Sequence, residues 1–262
     1  MSSSDDSRRP ISRTAVLRLL GATGGGLLLA KCGGAGASAA VPSASATAAP
    51  SSTSTSSCAV TPEGEIGPYF VDDSLSGFNR STIVANIDGT NVQPGIPLTL
   101  NVYVRDAQKG CAAVAGSQVD IWHCNATGAY SGEGMLSTTG QTWLRGYQVT
   151  GANGLVTFKT IVPGWYAGRT THIHMRVRSS YNNASSTSDG SNTTQVFFPQ
   201  SLVDAIGTTV APYNAHGANS TTNANDHVYT PETKGVTLLS LMGSTSSGYT
   251  ATFTVDLPIT SG

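Results

Sequence analysis

Two long segments of the chain alternate apolar and polar residues without a break. In LTLNVYVRD (98–106), Leu98, Leu100, Val102 and Val104 alternate with Thr99, Asn101, Tyr103 and Arg105. In YTATFTVDL (249–257), Tyr249, Ala251, Phe253, Val255 and Leu257 alternate with Thr250, Thr252, Thr254 and Asp256. Side chains two apart leave the same face of an extended strand, so each segment predicts a strand with one face in a core and one turned outward. Shorter β-branched or aromatic runs follow the same grammar: QVDIWHC (118–124), GLVTFKTIV (154–162), THIHMRVRS (171–179), TQVFF (194–198) and VTLLSL (236–241). Clusters of Gly, Pro, Asn and Ser separate them, each suited to a turn. Only PQSLVDAIG (199–207) reads as helical. The pattern predicts an all-β fold, an antiparallel β-sandwich with little helix.

The first 57 residues do not share this pattern. Arg8 and Arg9 precede a weakly apolar run that Arg18 and several glycines interrupt, too short and too polar to span a bilayer as a stable helix. Residues 1–38 resemble a twin-arginine export signal, which implies a secreted, periplasmic or envelope location. The stretch LLLAKC resembles a lipidation motif but carries Lys31 where a small residue is expected, which disfavours anchoring at Cys32. Residues 39–57 are almost entirely Ala, Ser, Thr and Pro, a composition that buries too little apolar surface to order itself. They are expected to be a linker, leaving 58–262 as one globular domain.

Export changes the reading of the cysteines, because a disulfide survives in an oxidising compartment. Cys58, Cys111 and Cys124 allow one bridge and one leftover thiol. Cys111 follows one predicted strand and Cys124 closes the next, so at ~3.3 Å per residue the two belong near opposite ends of a hairpin. Cys58 with Cys124 or Cys58 with Cys111 is therefore favoured over Cys111 with Cys124, and three reduced thiols are the alternative. Charge excludes a further class. A formal net charge of -1 with 11% charged residues offers no basic patch to neutralise a run of phosphates, so nucleic acid is not an expected partner.

Candidate chemistry gathers in PGWYAGRTTHIHMRV (163–177). His172 and His174 are two apart on a predicted strand, so their rings leave one face and can converge on one ion, while Ile173, Met175 and Val177 face the core. Arg176 and Arg178 continue the histidine face, and a solvated polar face has the same pattern. Tyr166 follows a PGW turn, and Arg169 lies between it and His172. Tyr130 ends WHCNATGAY (122–130), where Gly128 permits a turn just beyond another strand. His123, His216 and His227 read as structural or surface residues.

These residues and their surroundings resemble the intradiol ring-cleavage dioxygenases, the family of protocatechuate 3,4-dioxygenase and catechol 1,2-dioxygenase, in its exported single-domain form. The resemblance runs through TPEGEIGPYF (61–70), VDIWHCNATGAYSG (119–132), TWLRGYQVTGANGLVTFKTIVPGWYAGRTTHIHMRV (142–177) and TTQVFFP (193–199). It implies a β-sandwich, a non-haem Fe(III) held by Tyr130, Tyr166, His172 and His174, an active-site arginine in Arg169 and a nearby glutamine in Gln195. It further implies that Tyr166 accepts a substrate proton, and that a small-molecule catechol and O2 are the partners. The donor set suits such an ion: Fe(III) is hard, and its charge converts a phenol of pKa near ~10 into an anionic oxygen ligand. Zinc and copper account poorly for the two tyrosines. Only Ala167 to Thr171 separate Tyr166 from His172, shorter than in the protocatechuate and catechol enzymes, which predicts a lower pocket wall. The alternative of another class is a non-catalytic exported β-sandwich, a binding or cell-surface module.

Overall fold

The computed structural model describes residues 58–71, 77–179 and 191–259. The expected export segment 1–38, the linker 39–57 and Cys32 lie outside the described residues.

Nine strands among the described residues form two sheets: β1 (Pro97–Asp106), β2 (Ala112–Ala113), β3 (Gln118–Trp122), β4 (Arg145–Val149), β5 (Leu155–Ile161), β6 (His172–Arg178), β7 (Asn192–Phe197), β8 (Leu241–Ser244) and β9 (Gly248–Leu257). One sheet has the order β2-β1-β9-β8, with β5 also paired to β1, and the other the order β4-β3-β6-β7. The inner faces supply the core. Leu98, Leu100, Val102 and Val104 of β1 and Ala251, Phe253 and Val255 of β9 oppose Val119 and Ile121 of β3 and Ile173, Met175 and Val177 of β6. All of these are the apolar members of alternating segments, as the strand period requires. The helix α1 (Gln200–Thr209) buries Val203 and Ile206.

Three features depart from the sequence expectation. The β1–β9 pair is parallel, running from Leu98 opposite Tyr249 to Asp106 opposite Leu257, while every other named pair is antiparallel. Alternation fixes a face but carries no information on direction, and the long chain between the two strands provides the crossover that parallel pairing needs. VTLLSL forms no strand of its own: Leu238 makes one isolated bridge to Phe197, and β8 begins only at Leu241. That run lacks a period of two, so composition alone marked it as extended. Conversely, β4 carries Gly146, which weakens a strand signal. There the backbone of Phe78 crosses so closely that a Cβ on Gly146 would stand 3.0 Å from its carbonyl oxygen.

Cys58 and Cys111 form a disulfide with Cα atoms 5.7 Å apart, one of the two expected pairings, and Cys124 is a buried free thiol. Burial pushes that thiol up to about 12, so it stays protonated. Among the described residues no helix is long and apolar enough to cross a membrane.

Candidate metal centre

The outer face of the β4-β3-β6-β7 sheet is not solvated. Along β6 it carries His172, His174, Arg176 and Arg178, and three of these four are buried. His174 stands opposite Trp122 on β3 and Gln195 on β7. The segment from Thr61 to Phe70 lies over this row. Gly64 N–H donates to the Thr193 carbonyl at 2.7 Å, and Gln195 Nε2 donates to the Glu65 carbonyl at 2.7 Å. Gly67 is needed where the segment crosses His174: its φ is +71°, and a Cβ there would sit 2.7 Å from Cε1 of the ring. Tyr69 and Phe70 complete the cover, Tyr69 stacked on Tyr130 at 4.4 Å and Phe70 edge-on to Trp122 at 5.0 Å. Trp122 in turn stacks on His174 at 5.0 Å.

Two nested turns deliver the phenols. Asn125 folds the first, accepting the Ala129 N–H on Oδ1 at 2.9 Å, and its carbonyl accepts the Gly164 N–H of the second at 3.1 Å. A Cβ on Gly128 would meet the Trp165 carbonyl oxygen at 2.2 Å, and one on Gly164 would meet that of Ala126 at 2.3 Å. Only glycine lets the two turns approach this closely. The ring centroids of Tyr130 and Tyr166 are consequently 5.7 Å apart, those of Tyr166 and His172 also 5.7 Å, and those of Tyr130 and His174 6.1 Å. Tyr130, Tyr166, His172 and His174 form one cluster.

The imidazole nitrogens converge. His172 Nδ1 bonds the Thr170 carbonyl at 2.6 Å, which makes Nδ1 the protonated nitrogen and leaves Nε2 a free lone pair. His172 Nε2 and His174 Nε2 stand 3.1 Å apart. That is about the span between two neighbouring imidazole donors on one ion, given bonds of roughly 2.0–2.1 Å. Burial, and then the Arg169 charge, lower His172 to about 3; burial, and then His172 and Arg169, hold His174 well below its usual value. Both rings are therefore neutral at physiological pH. Burial raises Tyr130 well above the ordinary phenol value, and its Oη finds no partner outside the Tyr166 phenol beside it. A buried phenol oxygen so poorly partnered is costly unless a cation completes it. Tyr166 is raised by burial too, but the Arg169 charge beside it opposes the shift. Among the described residues no three His, Cys, Asp or Glu gather into a cluster that could hold a metal. An ion held here would rest on phenols as much as on imidazoles, a donor set that fits ferric iron.

Arg169 is 7% exposed and fully engaged on one edge. Nε donates to Asp226 Oδ2 at 2.9 Å, and Nη2 reaches both Asp226 Oδ1, at 3.3 Å, and Gln195 Oε1. Gln195 thus bonds both the covering backbone and Arg169. Asp226 is the member that the sequence did not reveal, and nothing in its surroundings, ANDHVY (224–229), sets it apart from other loop aspartates. Arg178 is paired in a buried bridge to Asp120 at 2.8 Å, and Arg176 lies over the Phe70 ring at 5.6 Å. The remaining histidines hold other partners: His123 the Cys124 carbonyl and Thr160, His216 the Trp165 ring, and exposed His227 the Glu65 carboxylate.

Fold and cluster together define a class, β-sandwich proteins that bury a two-histidine, two-tyrosine set on the outer face of one sheet. A family model described as a dioxygenase matches residues 66–201, a span that contains Tyr130, Tyr166, Arg169, His172, His174 and Gln195. An intradiol ring-cleavage dioxygenase from Tetranychus urticae is similar in structure, with a TM-score of 0.64 and 28% identity over 78% of this chain and 98% of that one. So is the dioxygenase domain of a dioxygenase carbohydrate-binding protein fusion from Streptomyces sp. SirexAA-E, with a TM-score of 0.52 and 30% identity over 77% and 100% of the two chains. The 3-chlorocatechol 1,2-dioxygenase of Rhodococcus opacus 1CP shares the fold at 22% identity, with a TM-score of 0.51 over 76% of this chain and 72% of that one. No curated protein matches the sequence. The chain belongs to the intradiol ring-cleavage dioxygenase family.

Proposed function

We propose that the protein is an Fe(III)-dependent intradiol dioxygenase. It inserts both atoms of O2 into a catechol-type diol, cleaving the ring between the hydroxylated carbons to give a muconate-type diacid. The observation that carries this reading is the convergence of His172 and His174, Nε2 to Nε2 at 3.1 Å, beside a buried Tyr130 oxygen that has no partner outside the Tyr166 phenol. Tyr130, Tyr166, His172 and His174 would hold the iron. A ferric ion held there would supply a Lewis-acid centre that a catechol could chelate and that would activate the ring towards O2.

The protein's own groups divide the remaining work. Two phenolates offset most of the ion's charge and two neutral imidazoles add none, which makes a buried site tolerable. Tyr166 is the less buried phenol and has Arg169 beside it. It is the group suited to take a catechol proton on its Oη. Tyr130, enclosed by Tyr69 and Trp122, stays in place. The Arg169 guanidinium stabilises the negative charge that grows on the substrate oxygens. Gln195 holds Arg169 against the sheet. We further propose that residues 1–38 export the protein, and the Cys58–Cys111 bridge suits an oxidising destination.

The test is turnover of catechol by the iron-loaded protein under 18O2. The expected result is one O2 consumed per catechol and both labels in the diacid. A product cleaved outside the two hydroxylated carbons, or binding without oxygen uptake at full iron occupancy, contradicts it; the latter is the result for a non-catalytic module.

A further inference from the structure

We propose that Asp226 is a positioning residue, which fixes the Arg169 guanidinium in the one orientation that presents its remaining edge to the site. The inference rests on the dioxygenase reading above. Asp226 lies beyond the residues that the family model matches, on a loop after α1, and its side chain is 0% exposed.

Its carboxylate is saturated. Oδ2 accepts Arg169 Nε–H at 2.9 Å and the Thr170 N–H at 2.8 Å. Oδ1 accepts the Val228 N–H at 2.9 Å, the Tyr229 N–H at 3.2 Å and Arg169 Nη2 at 3.3 Å. Nη2 also donates to Gln195 Oε1, whose own amide is committed to the Glu65 carbonyl. The Nε–Nη2 edge is thus gripped from two sides, and Nη1 takes part in neither bond. Neighbours on the same loop reinforce the grip: Asn219 Nδ2 donates to the Arg169 carbonyl at 2.8 Å, and Thr170 Oγ1 donates to Asn223 Oδ1 at 2.7 Å. The Thr170 carbonyl in turn bonds His172 Nδ1. A loop far along the chain therefore braces the short turn between Tyr166 and His172, and its carboxylate sets where the arginine points.

The two oxygens do different work, which makes the proposal testable. Asp226→Asn retains an acceptor for Val228 and Tyr229, so the loop's own turn survives, but it replaces the Oδ2 acceptor of Arg169 and Thr170 with an N–H donor. We compare iron-loaded wild type, Asp226→Asn, Arg169→Ala and the double variant by oxygen uptake and iron content, with a crystal structure of Asp226→Asn. The expected result is near-full iron in all four, kcat on catechol lowered roughly ten- to a hundredfold in Asp226→Asn, and no further loss when Asp226→Asn is added to Arg169→Ala. The crystal structure should show the guanidinium turned away from Gln195. Wild-type kcat in Asp226→Asn, or a double variant slower by the product of the two single effects, overturns the assignment. An insoluble Asp226→Asn beside a soluble double variant supports it through stability, because removing both charges relieves the unpaired one. Insolubility of both overturns it in favour of a role in folding the loop. Inactivity of iron-loaded wild type towards catechols would contradict the dioxygenase reading instead. The crystal structure then decides alone: a displaced Arg169 supports the positioning role and an unmoved one overturns it.

Discussion

The outer faces of the two sheets obey the same alternation and end in opposite environments. On the β1–β9 sheet the outward residues Thr99, Asn101, Tyr103, Thr252 and Thr254 are half-buried or exposed, and Arg105 pairs with Asp256 at the surface, its side chain 37% exposed. On the β3–β6 sheet the outward residues Asp120, His172, His174, Arg178 and Gln195 are all buried. Alternation shows which residues leave the core and is silent on what they meet. The covering segment decides that, and it turns one polar face into an enclosed site. Enclosed polar groups need partners. Asp120 with Arg178, and Asp226 with Arg169 and Gln195, find them within the protein, whereas the Tyr130 phenol has only the Tyr166 phenol beside it.

Removing the donors has the largest effect on the enclosed face. His172→Ala or His174→Ala should lose most of the iron and with it the activity, and Tyr130→Phe should weaken iron retention, all read by metal analysis. Full occupancy and an unchanged spectrum in any of the three would remove that residue from the ligand set. Arg169→Ala should keep iron and colour while kcat falls about a hundred- to a thousandfold, the cost of one preorganised charged donor (~2.7–4 kcal/mol). A higher KM at unchanged kcat would place Arg169 in ground-state binding instead.

The cover is probed by Gly67→Ala. A non-glycine residue at φ +71°, with its Cβ 2.7 Å from the His174 ring, should cost about 1–3 kcal/mol and loosen iron, checked by thermal melting and metal content. Thr252→Ala on the open sheet should change stability by no more than about 0.5 kcal/mol and leave turnover unaltered. An effect on catechol turnover there would show that the two faces are not independent.

What the sequence made legible follows from the same contrast. Strands 98–106 and 249–257 were readable because each has one buried face, but their parallel pairing was not, since direction leaves no trace in alternation. VTLLSL misled because its composition is extended while its period is not. The pairing of Cys58 stayed open between two partners, because three-dimensional proximity and not spacing selects Cys111. At the site, Tyr130, Tyr166, Arg169, His172, His174 and Gln195 were reachable through local motifs and the family they resemble. Asp226 was not: one aspartate in a polar loop has no distinguishing neighbours, and only folding brings it to Arg169.

Two imidazoles and two phenols are proposed to hold ferric iron on this face. The visible absorption spectrum of the iron-loaded protein, recorded before and after anaerobic addition of catechol, tests it most directly. Phenolate-to-Fe(III) charge transfer absorbs visible light, so the expected protein is burgundy to red-brown, with a band that shifts when catechol chelates the ion and weakens in Tyr130→Phe. A protein that carries stoichiometric iron and remains colourless, with or without catechol, would contradict it.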